Sequence, residues 1–201
     1  MPYVGLEDYI KAVRSGGVLA LPTDTVWGVA TMPKYSSTLY ELKQRSLDKA
    51  LILLGANADD LWPYVTMDVN AWQAITEKHW PGQLTLVLPS TAQVPMEMHP
   101  KTPDTIGVRV PNHPVAQQLL ALTGPLATTS ANVSGQPNLM SVKAVLDQFP
   151  QVYGLDKDTI QKLLEDLGTD GELPAPSGLP STVARWQLTH WEVLRQGTVY
   201  L

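Results

Sequence analysis

Short apolar runs, closed by proline or glycine and separated by helical patterns, constrain the fold of this chain more than any other feature. Buried strands are predicted at residues 18–21, 26–29, 51–54, 84–88 and 106–110, after residue 125, and in a tail at 181–186 and 191–200. Helices are predicted at residues 6–14, 36–45, 57–64, 69–79, 113–122, 141–149 and 159–167. Because strands and helices alternate along the chain, we predict an α/β fold.

Size and composition indicate one compact domain over residues 1–201. Of the 201 residues 44% are hydrophobic, which is enough for a sizeable core. The absence of cysteine excludes disulfides, thiolate metal ligands and cysteine nucleophiles. A net charge of −5 argues against a dominant nucleic-acid surface. The N-terminus has no secretory pattern and no apolar run approaches the roughly 18 residues of a membrane span, so we expect a soluble, cytoplasmic protein with no membrane partner.

Two cations stand at the junction between the helix at 36–45 and the strand at 51–54. Inside a helix, side chains two residues apart diverge, but at a helix end Lys43 and Arg45 can point toward one place. A lysine and an arginine together suit a polyanion such as a nucleotide triphosphate. The alternative is a solvated helix end whose cations favour the helix dipole.

Two polar turns follow apolar strands, where open α/β sheets bind ligands. Thr23-Asp24-Thr25 comes after the strand that Pro22 ends, and Ser130-Ala131-Asn132 follows the strand after residue 125. Their hydroxyl, amide and backbone groups are suitable for ligand contacts. Each turn can equally be held by its own side chains without any ligand.

Arg109 lies within the apolar run 106–110, an unusual place for a cation. Such an arginine either points to an open face or finds an anion.

Several common kinds of chemistry have no motif here. The sequence has no Walker loop, no G-x-G-x-x-G fingerprint and no G-x-S-x-G elbow, and its four histidines show no metal-ligand spacing. What remains is scattered cations, including Arg195, and hydroxyl-bearing turns. That inventory suits reactions driven by positioning and charge neutralisation, phosphoryl or nucleotidyl transfer above all.

An ordered set of short motifs resembles the YrdC-like family of L-threonylcarbamoyladenylate synthases. The resemblance extends from about Val18 to Gly197, and the order of Lys-x-Arg followed by Ser-x-Asn is its most specific part. The motifs are Pro22-Thr-Asp-Thr-Val-Trp-Gly28, Lys43-Gln-Arg45, Asp48-Lys49, Leu51-Ile52, Trp80-Pro-Gly82, Leu84-Thr85, Val108-Arg-Val110, Ser130-Ala-Asn132, Ser134-Gly135, Ser181-Thr-Val183 and Leu194-Arg-Gln-Gly197.

The resemblance implies a twisted, mixed β-sheet flanked by helices and enclosing a deep, positively charged cleft. It implies that L-threonine, bicarbonate and ATP give threonylcarbamoyl-AMP and pyrophosphate. That product would serve the N6-threonylcarbamoylation of adenosine 37 in tRNA, with tRNA or tRNA-modification proteins as possible partners. Mg²⁺ is expected with the ATP, bridging phosphates rather than held by protein ligands.

The resemblance also implies roles for single residues. Lys43 and Arg45 would be catalytic and bind the triphosphate, with Arg195 near the same charge. The remaining ATP contacts would come from Ser130, Asn132 and Ser181. Thr23 and Thr25 would line the threonine side, and no protein metal site is expected.

The chain departs from many relatives at three places. Ala50 and Leu54 occupy the region where others have a proline and a histidine, so a threonine contact made by that histidine is not carried over. Asp24 stands where many relatives have a glutamate, so its carboxylate is on a shorter side chain. Few residues follow Gly197, so we expect the short, single-domain bacterial form, in which the loop 168–180 is a candidate to close the cleft.

Two other functions are considered. One is a non-catalytic RNA-binding module, against which the net charge of −5 counts. The other is a carbamoyl-adenylate domain that serves a different acceptor, as in hydrogenase maturation proteins, where it lies within a much longer chain.

Overall fold

A large β-sheet forms the centre of the computed structural model, which describes residues 3–66, 69–133, 135–169 and 172–201. The strands are β1 (Tyr3–Val4), β2 (Leu19–Leu21), β3 (Gly28–Thr31), β4 (Ile52–Leu54), β5 (Leu84–Pro89), β6 (Thr105–Arg109), β7 (Leu126–Ser130), β8 (Gly154–Leu155), β9 (Thr182–Trp186) and β10 (Trp191–Arg195). The α-helices are α1 (Leu6–Arg14), α2 (Ser37–Lys43), α3 (Val69–His79), α4 (Pro114–Thr123), α5 (Val142–Gln148) and α6 (Lys157–Asp166).

The sheet is mixed. Eight strands lie in the order β10-β9-β5-β6-β4-β7-β3-β2, and β1 pairs with β8 in a separate two-stranded sheet. Within the large sheet β4 pairs in parallel with β6, and β5 with β9. The other neighbouring strands are antiparallel. The predicted α/β class with a mixed sheet is therefore confirmed.

The core is divided between the two faces of the sheet. Side chains alternate between faces along a strand, so Leu53 packs into one buried cluster while its neighbour Leu54 packs into another. We call these the first and second clusters. Helices α2, α3 and α5 contribute buried side chains to the first, and α1, α4 and α6 to the second. Each face is therefore covered by helices, as an α/β sheet requires.

Most predicted elements lie within two residues of their expected bounds. The strand predicted at 26–29 is displaced to Gly28–Thr31, because residues 23–26 form a turn. The helix predicted at 57–64 is wrong: only a 3₁₀ turn forms, at Trp62–Tyr64. Its start is held in a turn instead, since Asp60 Oδ2 accepts from the Ala56 and Asn57 amides, 3.0 and 3.3 Å away.

Three further findings concern two short strands, the end of β10 and the length of the helices. Strands β1 and β8 were not predicted, because two residues carry no readable periodicity. Strand β10 ends at Arg195, earlier than predicted. Among the described residues, no helix is both long enough and apolar enough to cross a lipid bilayer.

Candidate functional site

A cavity of about 330 Å³ lies over the central strands β3, β4, β6 and β7. Ile52 and Leu54 line it and also pack with the second cluster, and the neighbouring Thr128 and Thr129 of β7 both contribute to the lining. Gly28 leaves space in the lining, because a Cβ at this position would lie 3.0 Å from Thr128 Oγ1. Every residue nominated from the sequence except Lys43 lines this cavity, namely Thr23, Thr25, Arg45, Ser130, Asn132, Ser181 and Arg195.

Lys43 does not line the cavity, but it contacts Thr129 and Ser130, which do. It is the last residue of α2, and its side chain is buried, with 6% of the residue exposed. Its ammonium donates to the Ser130 carbonyl at 2.5 Å and is 3.4 Å from Thr129 Oγ1. The end of α2 is thereby tied to the end of β7. A solvated helix end, the alternative considered for this lysine, does not fit its burial.

Arg45 follows the end of α2, and its side chain makes different contacts from that of Lys43. Gln44 adopts the left-handed conformation, with φ of 46°, and ends the helix. The Arg45 guanidinium donates to the carbonyls of Lys49 and Ala50, at 2.9 and 3.0 Å. It therefore braces the loop between α2 and β4 while it lines the cavity. Of the two cations, Arg45 lines the cavity and Lys43 does not.

Burial has a measurable consequence for Lys43. It is the main cause that lowers the pKa of Lys43 from 10.5 to about 8, and the nearby charges of Arg45 and Lys49 lower that pKa further. An unfolded lysine keeps its ordinary pKa, so between pH 8 and 10.5 the unfolded chain holds a proton that the folded chain has released. Through Lys43, the free energy of unfolding rises with pH in this window.

We predict that this rise is lost in Lys43→Met. Urea unfolding at pH 7.5, 8.5 and 9.5 gives the free energy of unfolding of the parent and of the variant. The difference between the two values at each pH cancels the titration of other groups. The stability of the parent relative to the variant should increase with pH. Parallel stability curves would contradict the assignment of the lowered pKa to Lys43.

The Thr23-Asp24-Thr25 turn is held by its own side chains and by Arg109. Thr23 Oγ1 donates to the Val26 carbonyl at 2.6 Å and lies 3.0 Å from Thr25 Oγ1. The Arg109 guanidinium donates to Thr25 Oγ1 at 2.9 Å and forms an ion pair with Asp24 at 2.5 Å. Arg109 is 5% exposed, and its Nε donates to the Gly82 carbonyl at 2.8 Å. Of the two alternatives for this arginine, contact with an anion is the one observed.

Burial lowers the pKa of Arg109, and the Asp24 carboxylate opposes that effect. Because the charge of Arg109 is matched by Asp24, the net cationic character of the cavity depends more on Arg45 and Arg195.

The Ser130-Ala131-Asn132 turn closes β7 and forms another wall. The Ala131 amide donates to the Trp27 carbonyl at 2.8 Å, and Asn132 Nδ2 donates to the Gln136 carbonyl at 2.7 Å. The buried Oδ1 of Asn132 has no partner among the described residues, so it is an available acceptor. Ser134, part of the same motif, lies outside the described residues.

Ser181 and Arg195 meet at the start of β9 and the end of β10. Arg195 donates to the Ser181 carbonyl through Nε and Nη2, at 3.1 and 2.9 Å, and Ser181 Oγ lies 2.8 Å from Thr85 Oγ1. Gly197 allows this close packing, because a Cβ there would lie 2.4 Å from the Pro180 carbonyl oxygen. The Leu194-to-Gly197 motif thus places an arginine at the cavity.

The described part of the loop 168–180 is attached to the threonine turn. The amides of Ser177 and Gly178 donate to the carbonyls of Asp24 and Thr25, at 3.1 and 2.8 Å. Asn138 Nδ2 donates to the Gly178 carbonyl at 3.0 Å, and Pro180 lines the cavity. This segment therefore forms one side of the cavity. Asp170 and Gly171 lie outside the described residues.

Sequence reasoning missed part of the lining. The sequence assigns no role to Arg109 and does not identify Thr128, Thr129 or Asn138 as candidates, yet all four line the cavity. Thr128 could have been found, because residues two apart in a strand share a face and Ser130 was already a candidate. Asn138 lies in a segment without periodicity, and no signal identified it.

Together these groups define an α/β protein whose cavity is lined by basic, hydroxyl and amide side chains. Three arginines line it, and none of the described lining residues is acidic. Hydroxyl and amide groups from three turns surround the same space. Such a lining suits a phosphate-bearing or carboxylate-bearing ligand.

The chain belongs to the Sua5/YciO/YrdC family, whose model, described as telomere recombination, matches residues 11–197. This confirms the family that the sequence motifs resemble.

Two relatives and one solved structure illustrate the likeness. A threonylcarbamoyl-AMP synthase from Escherichia coli O1:K1 / APEC is 41% identical over 150 residues, covering 72% of this chain and 78% of that protein. One from Vibrio campbellii is 36% identical over 149 residues, covering 71% and 80%. The crystal structure of P. abyssi Sua5 complexed with L-threonine superposes with a TM-score of 0.78 at 28% identity. It covers 94% of this chain, which spans about half, 52%, of the Sua5 chain.

Proposed function

We propose that this chain is a threonylcarbamoyl-AMP synthase, which makes threonylcarbamoyl-AMP and pyrophosphate from L-threonine, bicarbonate and ATP. The names of the relatives support this activity, and P. abyssi Sua5 in complex with L-threonine supports the amino acid. The observation that carries the proposal is the meeting of Arg45, Ser130 and Asn132 on one cavity, with Lys43 bonded to the Ser130 carbonyl.

The reaction needs no protein nucleophile. The threonine amine condenses with bicarbonate, with loss of water, to give a carbamate. A carbamate oxygen then attacks the α-phosphorus of ATP. The bond between the α-phosphorus and the oxygen that bridges it to the β-phosphate breaks, and pyrophosphate leaves. Positioning two anions and neutralising the developing charge is the protein's main task.

The cavity groups fit these needs. Arg45 and Arg195 would bind the triphosphate, and Lys43 would add its charge from beneath the Ser130 turn. Ser130, Asn132 and Ser181 would contact the nucleotide, with Asn132 Oδ1 as an acceptor for an N–H or O–H group. Thr23 and Thr25 would face the amino acid. Arginine suits the phosphates because its planar fork can donate two hydrogen bonds at once.

Mg²⁺ would arrive with ATP. The described cavity lining offers hydroxyl and amide oxygens but no carboxylate, so the phosphates are the better ligands for a hard cation. The ion would neutralise phosphate charge alongside the arginines.

The product would be passed on for N6-threonylcarbamoylation of adenosine 37 in tRNA, in the cytoplasm where ATP and tRNA occur. Transfer to tRNA through modification proteins accords with the net charge of −5, because direct tRNA binding requires a positively charged surface.

The test is a turnover assay with purified protein, ATP and Mg²⁺. Pyrophosphate release should require both L-threonine and bicarbonate, and L-serine should be a poorer substrate. Mass spectrometry should detect threonylcarbamoyl-AMP. Threonine-dependent release in bicarbonate-free buffer would indicate another adenylation reaction. Salt-sensitive RNA binding without any turnover would indicate a binding module, and turnover with a different amine would indicate a different acceptor.

A further inference from the structure

The buried hydroxyl of Tyr40 contacts two backbone carbonyls close to the turn that follows Arg45. Tyr40 belongs to α2 and is 6% exposed. Its hydroxyl donates to the Met98 carbonyl at 3.1 Å and to the Lys49 carbonyl at 3.3 Å, so its single proton is shared between two acceptors. Tyr40 thereby joins α2 to the connection between α2 and β4 and to the connection between β5 and β6.

Burial raises the pKa of Tyr40 above its ordinary value, and the nearby charge of Arg45 opposes that effect. The hydroxyl therefore keeps its proton at neutral pH and remains a donor.

The Lys49 carbonyl is shared between Tyr40 and Arg45. Arg45 Nε donates to this carbonyl at 2.9 Å, and Arg45 Nη2 donates to the Ala50 carbonyl at 3.0 Å. A carbonyl oxygen has two lone pairs, so the Lys49 carbonyl can accept from the tyrosine and from the arginine at once. The orientation of the Arg45 side chain thus depends on the place of a carbonyl that Tyr40 also holds.

The turn that carries this carbonyl has few other attachments. Residues 46–49 are exposed, and their remaining hydrogen bonds are local. Among the described residues, the hydrogen bonds from outside residues 46–50 into this turn come from the side chains of Tyr40 and Arg45. Just after the turn, the Leu51 amide donates to the Met98 carbonyl at 3.0 Å, which is the carbonyl that Tyr40 also contacts. Tyr40 and Met98 therefore anchor the turn to the buried part of the protein.

Three donors of Arg45 are left for a ligand. A guanidinium has five N–H groups, and the two carbonyls use the one on Nε and one on Nη2. Both N–H groups of Nη1 and one of Nη2 remain, on a side chain that lines the cavity. Because the guanidinium is planar, fixing two of its N–H groups also fixes the direction of the other three.

We infer that Tyr40 is a positioning residue for the triphosphate: it holds the Lys49 carbonyl in place, and this carbonyl aims the Arg45 guanidinium at the phosphates. The inference rests on the proposed function, in which Arg45 binds the triphosphate. An arginine that is already held in its binding orientation loses less side-chain freedom when the ligand arrives, and the ligand binds more tightly as a result.

The experiment compares steady-state constants of Tyr40→Phe with those of the parent. The substitution removes the hydroxyl and keeps the ring. The KM for ATP should rise about three- to tenfold, in the range expected for loss of one hydrogen bond. The KM for threonine should change less than about twofold, and the thermal midpoint shows that the variant is folded.

Tyr9→Phe is the matched control. Tyr9 is a fully buried tyrosine whose hydroxyl donates to the Ala20 carbonyl at 2.8 Å, and it does not line the cavity. It loses a buried hydrogen bond of the same kind and should leave both KM values unchanged. An equal rise of the KM for ATP in the two variants would indicate a general structural effect and would overturn the inference.

A double-mutant cycle shows whether Tyr40 acts through Arg45. Arg45→Lys keeps the charge but lacks the fork that reaches both carbonyls. Tyr40→Phe should therefore cause little further rise in the KM for ATP when it is combined with Arg45→Lys. Rises that multiply in the double variant would mean that Tyr40 affects ATP by another route, which contradicts the inference.

Failure of the proposed function is distinguishable, because the parent itself would then show no threonine-dependent pyrophosphate release. An active parent with an unchanged KM for ATP in Tyr40→Phe would overturn the inference alone.

Discussion

Replacing Lys43 with alanine is expected to lower the turnover number for threonine-dependent pyrophosphate release by about 10²-fold or more. The ammonium lies directly beneath the Ser130 turn, with its Nζ 2.5 Å from the Ser130 carbonyl oxygen. No described residue forms an ion pair with it, so its charge would be available to phosphates bound beside Ser130. Loss of one preorganised electrostatic donor typically costs 10²- to 10³-fold in turnover.

The variant series separates charge from packing. Lys43→Met retains most of the side-chain volume without the charge and should be as inactive as Lys43→Ala. Lys78→Ala removes an exposed lysine of α3 and should have the parent's activity. Turnover is measured at saturating threonine, bicarbonate and ATP, and the thermal midpoint of each variant shows that it is folded. Parent-like turnover in both Lys43 variants would remove this residue from the site.

The fold was predictable wherever local pattern and final environment agree. Helix α1 shows buried positions at helical spacing between Leu6 and Arg14, and its bounds are as predicted. The segment 57–64 shows the opposite case: Asp60 and Asn57 bind local amides, and this turn competes successfully with a helix. Local hydrogen bonds of this kind are not visible in apolar periodicity.

The site was predictable as a set of residues but not as a set of contacts. Motif order placed Arg45, Ser130 and Arg195 among the candidates, and they line one cavity. The ion pair between Arg109 and Asp24 joins residues 85 positions apart, and no spacing rule relates them. The depth of Lys43 was missed for a similar reason, since it depends on how the end of α2 packs on β7.

The same long-range pair leads to the largest expected effect on stability: Arg109→Met should lower the free energy of unfolding by about 3–5 kcal/mol. Removing one partner of a buried ion pair leaves the other charge uncompensated, and losses of this size are typical. The side chains of Arg109 and Asp24 are 7% and 11% exposed, so water replaces little of the lost interaction. Asp24 Oδ2 has no hydrogen-bond partner among the described residues, which leaves Arg109 as the group that neutralises it.

Urea unfolding of the parent and three variants tests this reasoning. Arg14→Met removes an arginine whose contact, to the Leu122 carbonyl at 3.0 Å, is exposed, and it should cost less than about 1 kcal/mol. Asp24→Asn combined with Arg109→Met removes both charges and should regain part of the loss, because the uncompensated carboxylate is the main cost. A double variant that is less stable than Arg109→Met would show that the lost contacts to Gly82 and Thr25 dominate instead. A loss in Arg109→Met no larger than in Arg14→Met would mean that Asp24 finds water or another donor once the guanidinium is gone.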